Sequence, residues 1–115
     1  MDKYKSIIND SIENIEKGLI ELSQKIHANP ELCFEEYKAV GWLMELAETH
    51  GFNIENPVGG LETAFKASYK SKKAGPTVAF LAEYDALRGK GHACGHNIIA
   101  SCAAGAALGL SKVVD

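Results

Sequence analysis

Thr77-Val78-Ala79-Phe80-Leu81-Ala82 is the stretch on which the fold reading turns. It is a near-continuous apolar run, the composition expected of a strand covered on both faces. Before it, Ser71 to Pro76 has turn composition, and Thr63 to Tyr69 alternates well enough to suggest a second strand. The two strands with their tight turn read as a hairpin. After it, Asp85 to His96 is a glycine-rich loop, and a final helix starts near Asn97 and runs to about Val113.

Toward the amino terminus, Lys3 to His27 reads as a helix. Ile8, Ile12, Ile15, Leu19, Leu22 and Ile26 recur at alternating spacings of four and three, which draws one apolar stripe. Pro30 closes this segment and biases Asn29 away from helical angles. Glu35 to His50 reads as a second helix, with Val40, Leu43, Met44 and Ala47 on one face and Trp42 at its edge. Gly51 suits a left-handed cap after it. Phe52 to Glu55 suggests a short strand, and Asn56 to Gly60 a loop. The final helix is apolar nearly all round, so it is expected to be buried, with Cys102 in the core. Ser101, Gly105 and Gly109 recur every four residues and offer a flat strip for close packing. The order is helix, helix, strands, helix. It predicts an α/β layer fold in which the loop leaves the end of a central strand, a place where ligands commonly sit.

A chain of 115 residues suffices for one domain and one core. A formal charge of −3, with no long run of one sign, argues against a nucleic-acid partner. Lys66, Lys70, Lys72 and Lys73 surround an expected turn and read as a solvated loop. No window is long and apolar enough to cross a bilayer, and Met1-Asp2-Lys3-Tyr4-Lys5 lacks a signal core. The expectation is a cytoplasmic, reducing setting. There the three cysteines serve as ligands or core residues rather than disulfides.

The loop contains Gly91-His92-Ala93-Cys94-Gly95-His96-Asn97. On extended backbone, positions 92, 94 and 96 leave the same face, so a thiolate and an imidazole two residues apart can converge on one metal ion. A single buried cysteine is usually a small hydrophobe, and a single histidine is usually a hydrogen-bonded group. The pair Cys94 and His96 in a glycine-rich loop that opens a helix points to metal ligation. Asp85 is a suitable acceptor to fix the His96 tautomer. Glu35 and Glu36 are placed at a helix start, where acids suit the dipole, and Glu31 has the same structural reading.

Three segments together resemble a known family. They are His27-Ala28-Asn29-Pro30-Glu31-Leu32-Cys33-Phe34-Glu35-Glu36, Phe80-Leu81-Ala82-Glu83-Tyr84-Asp85-Ala86-Leu87, and the Gly91–Asn97 stretch. In this order they look like the amino-terminal part of the M20 metallopeptidase/amidohydrolase family. The wording is closest to the aminobenzoyl-glutamate hydrolase and M20-domain dipeptidase branch. The resemblance implies a two-metal hydrolase, using zinc or manganese, that cuts an amide bond in N-acyl amino acids or dipeptides. It implies an α/β/α sandwich, a zinc-peptidase-like catalytic domain, of which this chain would be the amino-terminal portion. Cys94 and His96 match the metal ligands, and Asp85 matches the acidic catalytic residue that supports them. His92 belongs to the motif but is not usually a ligand there. Arg88 stands where proline is usual. Cys33 stands where a small residue is usual, and is read as a packing change with a weaker redox alternative. The family's Glu-Glu motif, further histidines and lid domain have no counterpart, so the chain is expected to be inactive alone. Homo-oligomerisation is expected. The alternative from another class is a non-catalytic metal-binding or interaction module that associates through an exposed apolar face.

Overall fold

A computed structural model describes residues 2–114. It contains helix α1 (Asp2–Ala28), helix α2 (Tyr37–Thr49), strand β1 (Asn53–Glu55), strand β2 (Lys66–Ser68) and helix α3 (His96–Leu110). The chain is mixed α/β, compatible with part of a layered domain.

The expected apolar stripe of α1 packs along α3, and the glycine strip is where the two approach most closely. A Cβ built on Gly105 would lie 2.8 Å from Leu19 Cδ1, and one on Gly109 would lie 3.1 Å from Ile12 Cδ1 and 3.2 Å from Ile8 Cγ2. Small residues therefore set the interhelix distance here. Leu22, Ile26, Ala39, Leu43 and Ala100 form the core where α1, α2 and α3 meet, with Trp42 packed at its margin. The Lys25 ammonium sits 4.4 Å above the Trp42 ring. Gly51 has φ +86°, and the Phe52 amide donates to the Ala47 carbonyl at 3.1 Å, so the expected left-handed cap ends α2.

Helix α2 starts with a device whose long reach the sequence pattern does not display. Its N-cap residue, Glu36, makes no capping bond. Instead the Glu31 carboxylate reaches across the intervening turn and accepts from the amides of Lys38 at 2.9 Å and Ala39 at 2.8 Å. Two of the donors that a helix start leaves open are thereby satisfied by a negative charge.

The strands expected in Phe52–Glu55 and Thr63–Tyr69 are present as β1 and β2, but the third needs correction. Thr77 to Ala82 forms no strand, and the hairpin with Thr63 to Tyr69 is not made. The sheet among the described residues has two strands, with Asn53 facing Ser68 and Glu55 facing Lys66 in antiparallel register. A strand covered on both faces needs ladder partners for its backbone and layers above and below. Among the described residues no strand flanks the run, and Leu81 is 87% exposed. One parallel bridge just beyond it, between Leu32 and Ala86, carries a hydrogen bond from the Ala86 amide to the Glu31 carbonyl at 2.7 Å. Helix α3 is likewise only half covered: Ile98, Ile99 and Cys102 are exposed, so Cys102 is not a core residue. Among the described residues no helix is long and apolar enough to cross a membrane.

Candidate functional site

Three local constraints bring Asp85 against His96. The Leu32–Ala86 bridge fixes the backbone beside Asp85. A tight turn then reverses the chain, with the Leu87 amide donating to the Gly91 carbonyl and the Gly91 amide donating back to Leu87. Gly89 and Gly91 take φ of +71° and +58° to make it, a region costly for residues with a Cβ. Arg88 lies exposed in this turn. Finally, Asn97 is buried at the first turn of α3 and donates to the Ser23 hydroxyl at 3.0 Å, which pins that helix start to α1.

His96 opens α3. Its Nδ1 lies 2.8 Å from Asp85 Oδ1 and 3.1 Å from the Asp85 carbonyl oxygen. A carbonyl oxygen only accepts, so Nδ1 carries the hydrogen and donates. That leaves the Nε2 lone pair of the neutral ring directed outward. A metal-binding histidine has this arrangement, with a carboxylate holding the non-ligating nitrogen.

The backbone that carries the other two motif residues is not the extended strand from which alternation was expected. Residues 92–94 form a turn, and Gly95 is left-handed at φ +81°, so the extended geometry assumed for positions 92, 94 and 96 is absent. Cys94 is exposed. The His92 ring is 7% exposed and lies 6.2 Å from the His27 ring, and its Nδ1 and Nε2 have no hydrogen-bond partner among the described residues. Burial lowers the His92 pKa below the ordinary 6.5, and neighbouring His27 and His96 add to the effect. The ring is therefore neutral at pH 7, so its bare ring nitrogen can accept a hydrogen bond or a cation.

A shallow cleft of about 180 Å³ adjoins Asp85 and is lined in part by Cys33, Phe34, Glu36, Glu83 and Tyr84. Cys33 is exposed in it, which corrects the packing reading. Lost solvation first, then the Glu36 and Asp85 carboxylates, push the Cys33 pKa above the ordinary thiol value. A protonated thiol is a weak nucleophile, which removes support from the redox reading. The Tyr84 hydroxyl donates to the Thr63 carbonyl, and burial, with a smaller effect of Glu36, pushes its pKa up to about 12. Tyr84 is thus a structural tie rather than a proton carrier near neutral pH.

Among the described residues, no three His, Cys, Asp or Glu side chains stand close enough together to hold a metal ion. Asp85 and His96 are brought together as the sequence suggested. Glu83 and His27 were not anticipated as neighbours here, whereas Glu31 holds the helix-start role that its acidic side chain suggested. His27 lies far from the loop in sequence, and Glu83 carried no ligand spacing of its own.

No family model matches the chain. Relatives are found among characterised proteins. The chain is 41% identical over 119 residues to the Xaa-Arg dipeptidase of Mus musculus, a match covering 92% of this chain and 26% of that protein. It is 32% identical over 132 residues to a component of the p-aminobenzoyl-glutamate hydrolase of Escherichia coli, covering all of this chain and 27% of that protein. It is 34% identical over 129 residues to thermostable carboxypeptidase 2 of Saccharolobus solfataricus, covering all of this chain and 32% of that protein. The chain thus spans about a quarter to a third of the length of these relatives.

Proposed function

Because the chain belongs to the M20 metallopeptidase/amidohydrolase family, we propose that it is the amino-terminal portion of a metal-dependent hydrolase acting on the amide bond of N-acyl amino acids or dipeptides. The relatives are named as a dipeptidase, an amide hydrolase and a carboxypeptidase, which supports that substrate class. The observation that carries the reading is the 2.8 Å contact between Asp85 Oδ1 and His96 Nδ1.

An imidazole and a thiol are donor types that suit zinc better than manganese, although among the described residues they do not yet form a group of three that could hold an ion. His96 offers an oriented imidazole nitrogen, and Cys94 a thiol free of any disulfide. When bound, such ions polarise an amide carbonyl and bring the pKa of a coordinated water near neutrality. Asp85 holds the Nδ1 hydrogen of His96, so that Nε2 keeps its lone pair. Cys94 must release its proton to ligate, so binding strengthens as pH rises. The start of α3 directs its free amide donors, and its partial positive charge, to the end of the helix where His96 stands. The cleft bounded by Phe34 and Tyr84 offers apolar and aromatic surface beside these groups, suited to part of an amide substrate. The two motif ligands fill half of a tetrahedral shell at most. Turnover by the 115-residue chain alone is therefore not expected, and further donors are required, whether from the same polypeptide or from a homo-oligomeric partner.

The test is a Co²⁺ titration of the chain followed by absorption. A near-ultraviolet thiolate-to-cobalt band is expected, absent in Cys94→Ala. A chain that shows no such band loses the assignment of Cys94 as a ligand. A second reading, a module that associates with another protein, is favoured by the exposure of Val78, Leu81 and Ile98 at 60%, 87% and 58%.

A further inference from the structure

Phe34 adopts a backbone conformation that costs stability without gaining packing. Among the described residues it is the only one other than glycine with a positive φ, at +69°. It is the third residue of a turn that the Glu35 amide closes on the Leu32 carbonyl at 2.9 Å. Glycine or asparagine ordinarily fills that position when it is left-handed, because a Cβ is strained there. The conformation is held in place: the Phe34 amide donates to Glu36 Oε1 at 3.0 Å, and Glu36 is itself buried. Burying the ring could offset such strain, yet Phe34 is 64% exposed. Strained residues that the surrounding structure holds in this way cluster at ligand-binding sites.

Leu32 is bridged to Ala86, so the turn carrying Phe34 stands beside Asp85, and both residues line the cleft of about 180 Å³. Pockets that enclose a whole small molecule run to about 300–1,000 Å³, so this cleft has room for one group of a substrate. Phe34, Leu61 and Tyr84 give it apolar surface. Glu36, Glu83 and Asp85 give it carboxylates, and among the described residues no basic side chain lines it. Those carboxylates repel the carboxylate of an N-acyl amino acid but not its uncharged acyl group.

We propose that Phe34 is a specificity-determining residue whose ring packs on the uncharged acyl group of the substrate, an aromatic acyl group above all, while the substrate's own carboxylate stays outside this cleft. The proposal rests on the amide-hydrolase reading above and adds to it which half of the substrate meets this chain here. Glu36 is then a positioning residue, since its carboxylate holds the amide of Phe34 and so aims the ring.

The experiment titrates the metal-free, ¹⁵N-labelled 115-residue chain with benzamide, and separately with benzoate, its anionic counterpart of like shape. Binding is read from the backbone amide resonances. Benzamide is expected to shift the amides of residues 33–36, Thr63 and Tyr84 to saturation, and benzoate to bind at least about fivefold more weakly. Phe34→Gly removes the ring and accepts the left-handed φ, so it is expected to unfold in urea no earlier than the unaltered chain. Its affinity for benzamide is expected to fall by at least about fivefold, and Phe34→Tyr, which keeps a ring, to recover most of it. The proposal is overturned if benzamide shifts none of these amides, or if Phe34→Gly binds it within about twofold of the unaltered chain. A much earlier urea midpoint for Phe34→Gly overturns it too, because the ring then serves packing. No metal takes part in these titrations. Failure here therefore leaves the Co²⁺ test of Cys94 untouched, and failure of that test leaves benzamide binding as measured.

Discussion

Burial leaves both ring nitrogens of His92 without a partner among the described residues and holds its pKa below 6.5. Between the folded and unfolded pKa values, the folded chain binds fewer protons at this ring than the unfolded chain. Stability therefore rises with pH across that window, is whole above about 6.5, and is lost as pH falls through the unfolded value toward the folded one. Urea unfolding of the metal-free chain should show a midpoint that drops between about pH 7.5 and 5.5, and the drop should be smaller in His92→Gln. Equal slopes in the two proteins would show that His92 does not titrate in this way. At this scale the Asp85–His96 pair was legible in the sequence, because a carboxylate near a motif histidine is a common partner. The turn at residues 92–94 was not. Alternation holds only on extended backbone, and a turn followed by a left-handed Gly95 replaces it here.

Helices α1 and α2 were readable from their apolar spacing, α3 from a run apolar nearly all round, and the close seam between α1 and α3 from the repeated small residues. That an acid would serve the start of α2 was readable for Glu31, but its long reach was not. Glu31 reaches amides seven and eight residues onward, a distance no short-range capping pattern includes. Replacing Glu31 by Ala removes two charge-assisted bonds and should destabilise the chain by about 1–2 kcal/mol in urea denaturation followed by circular dichroism. No change in midpoint would mean that water replaces the carboxylate without loss. The run Thr77–Ala82 shows the opposite limit. Its composition suits an interior strand, yet composition supplies only one side of a ladder. With no flanking strand among the described residues, it forms no ladder and Phe80 remains 42% exposed.

For the molecule as a whole, Val78, Leu81, Ile98 and Ile99 leave large apolar side chains exposed to water, the kind of surface on which a partner can pack. Asp85 and His96, by contrast, rest on contacts internal to the chain. The seam between α1 and α3 and the Glu31–Ala86 hydrogen bond both join residues before position 40 to residues after position 80. The lysine-rich turn from Lys70 to Lys73 lies between them and is largely exposed. A protease that severs this turn therefore cuts the covalent thread without separating what it connects. Separately made peptides 1–72 and 73–115, mixed, should elute together from a sizing column and part only in denaturant. Early separation would mean that the helical seam is too weak to hold the halves. Covalent continuity through the turn is thus expected to be dispensable for the α1–α3 seam, the two pieces forming a noncovalent heterodimer born of one gene.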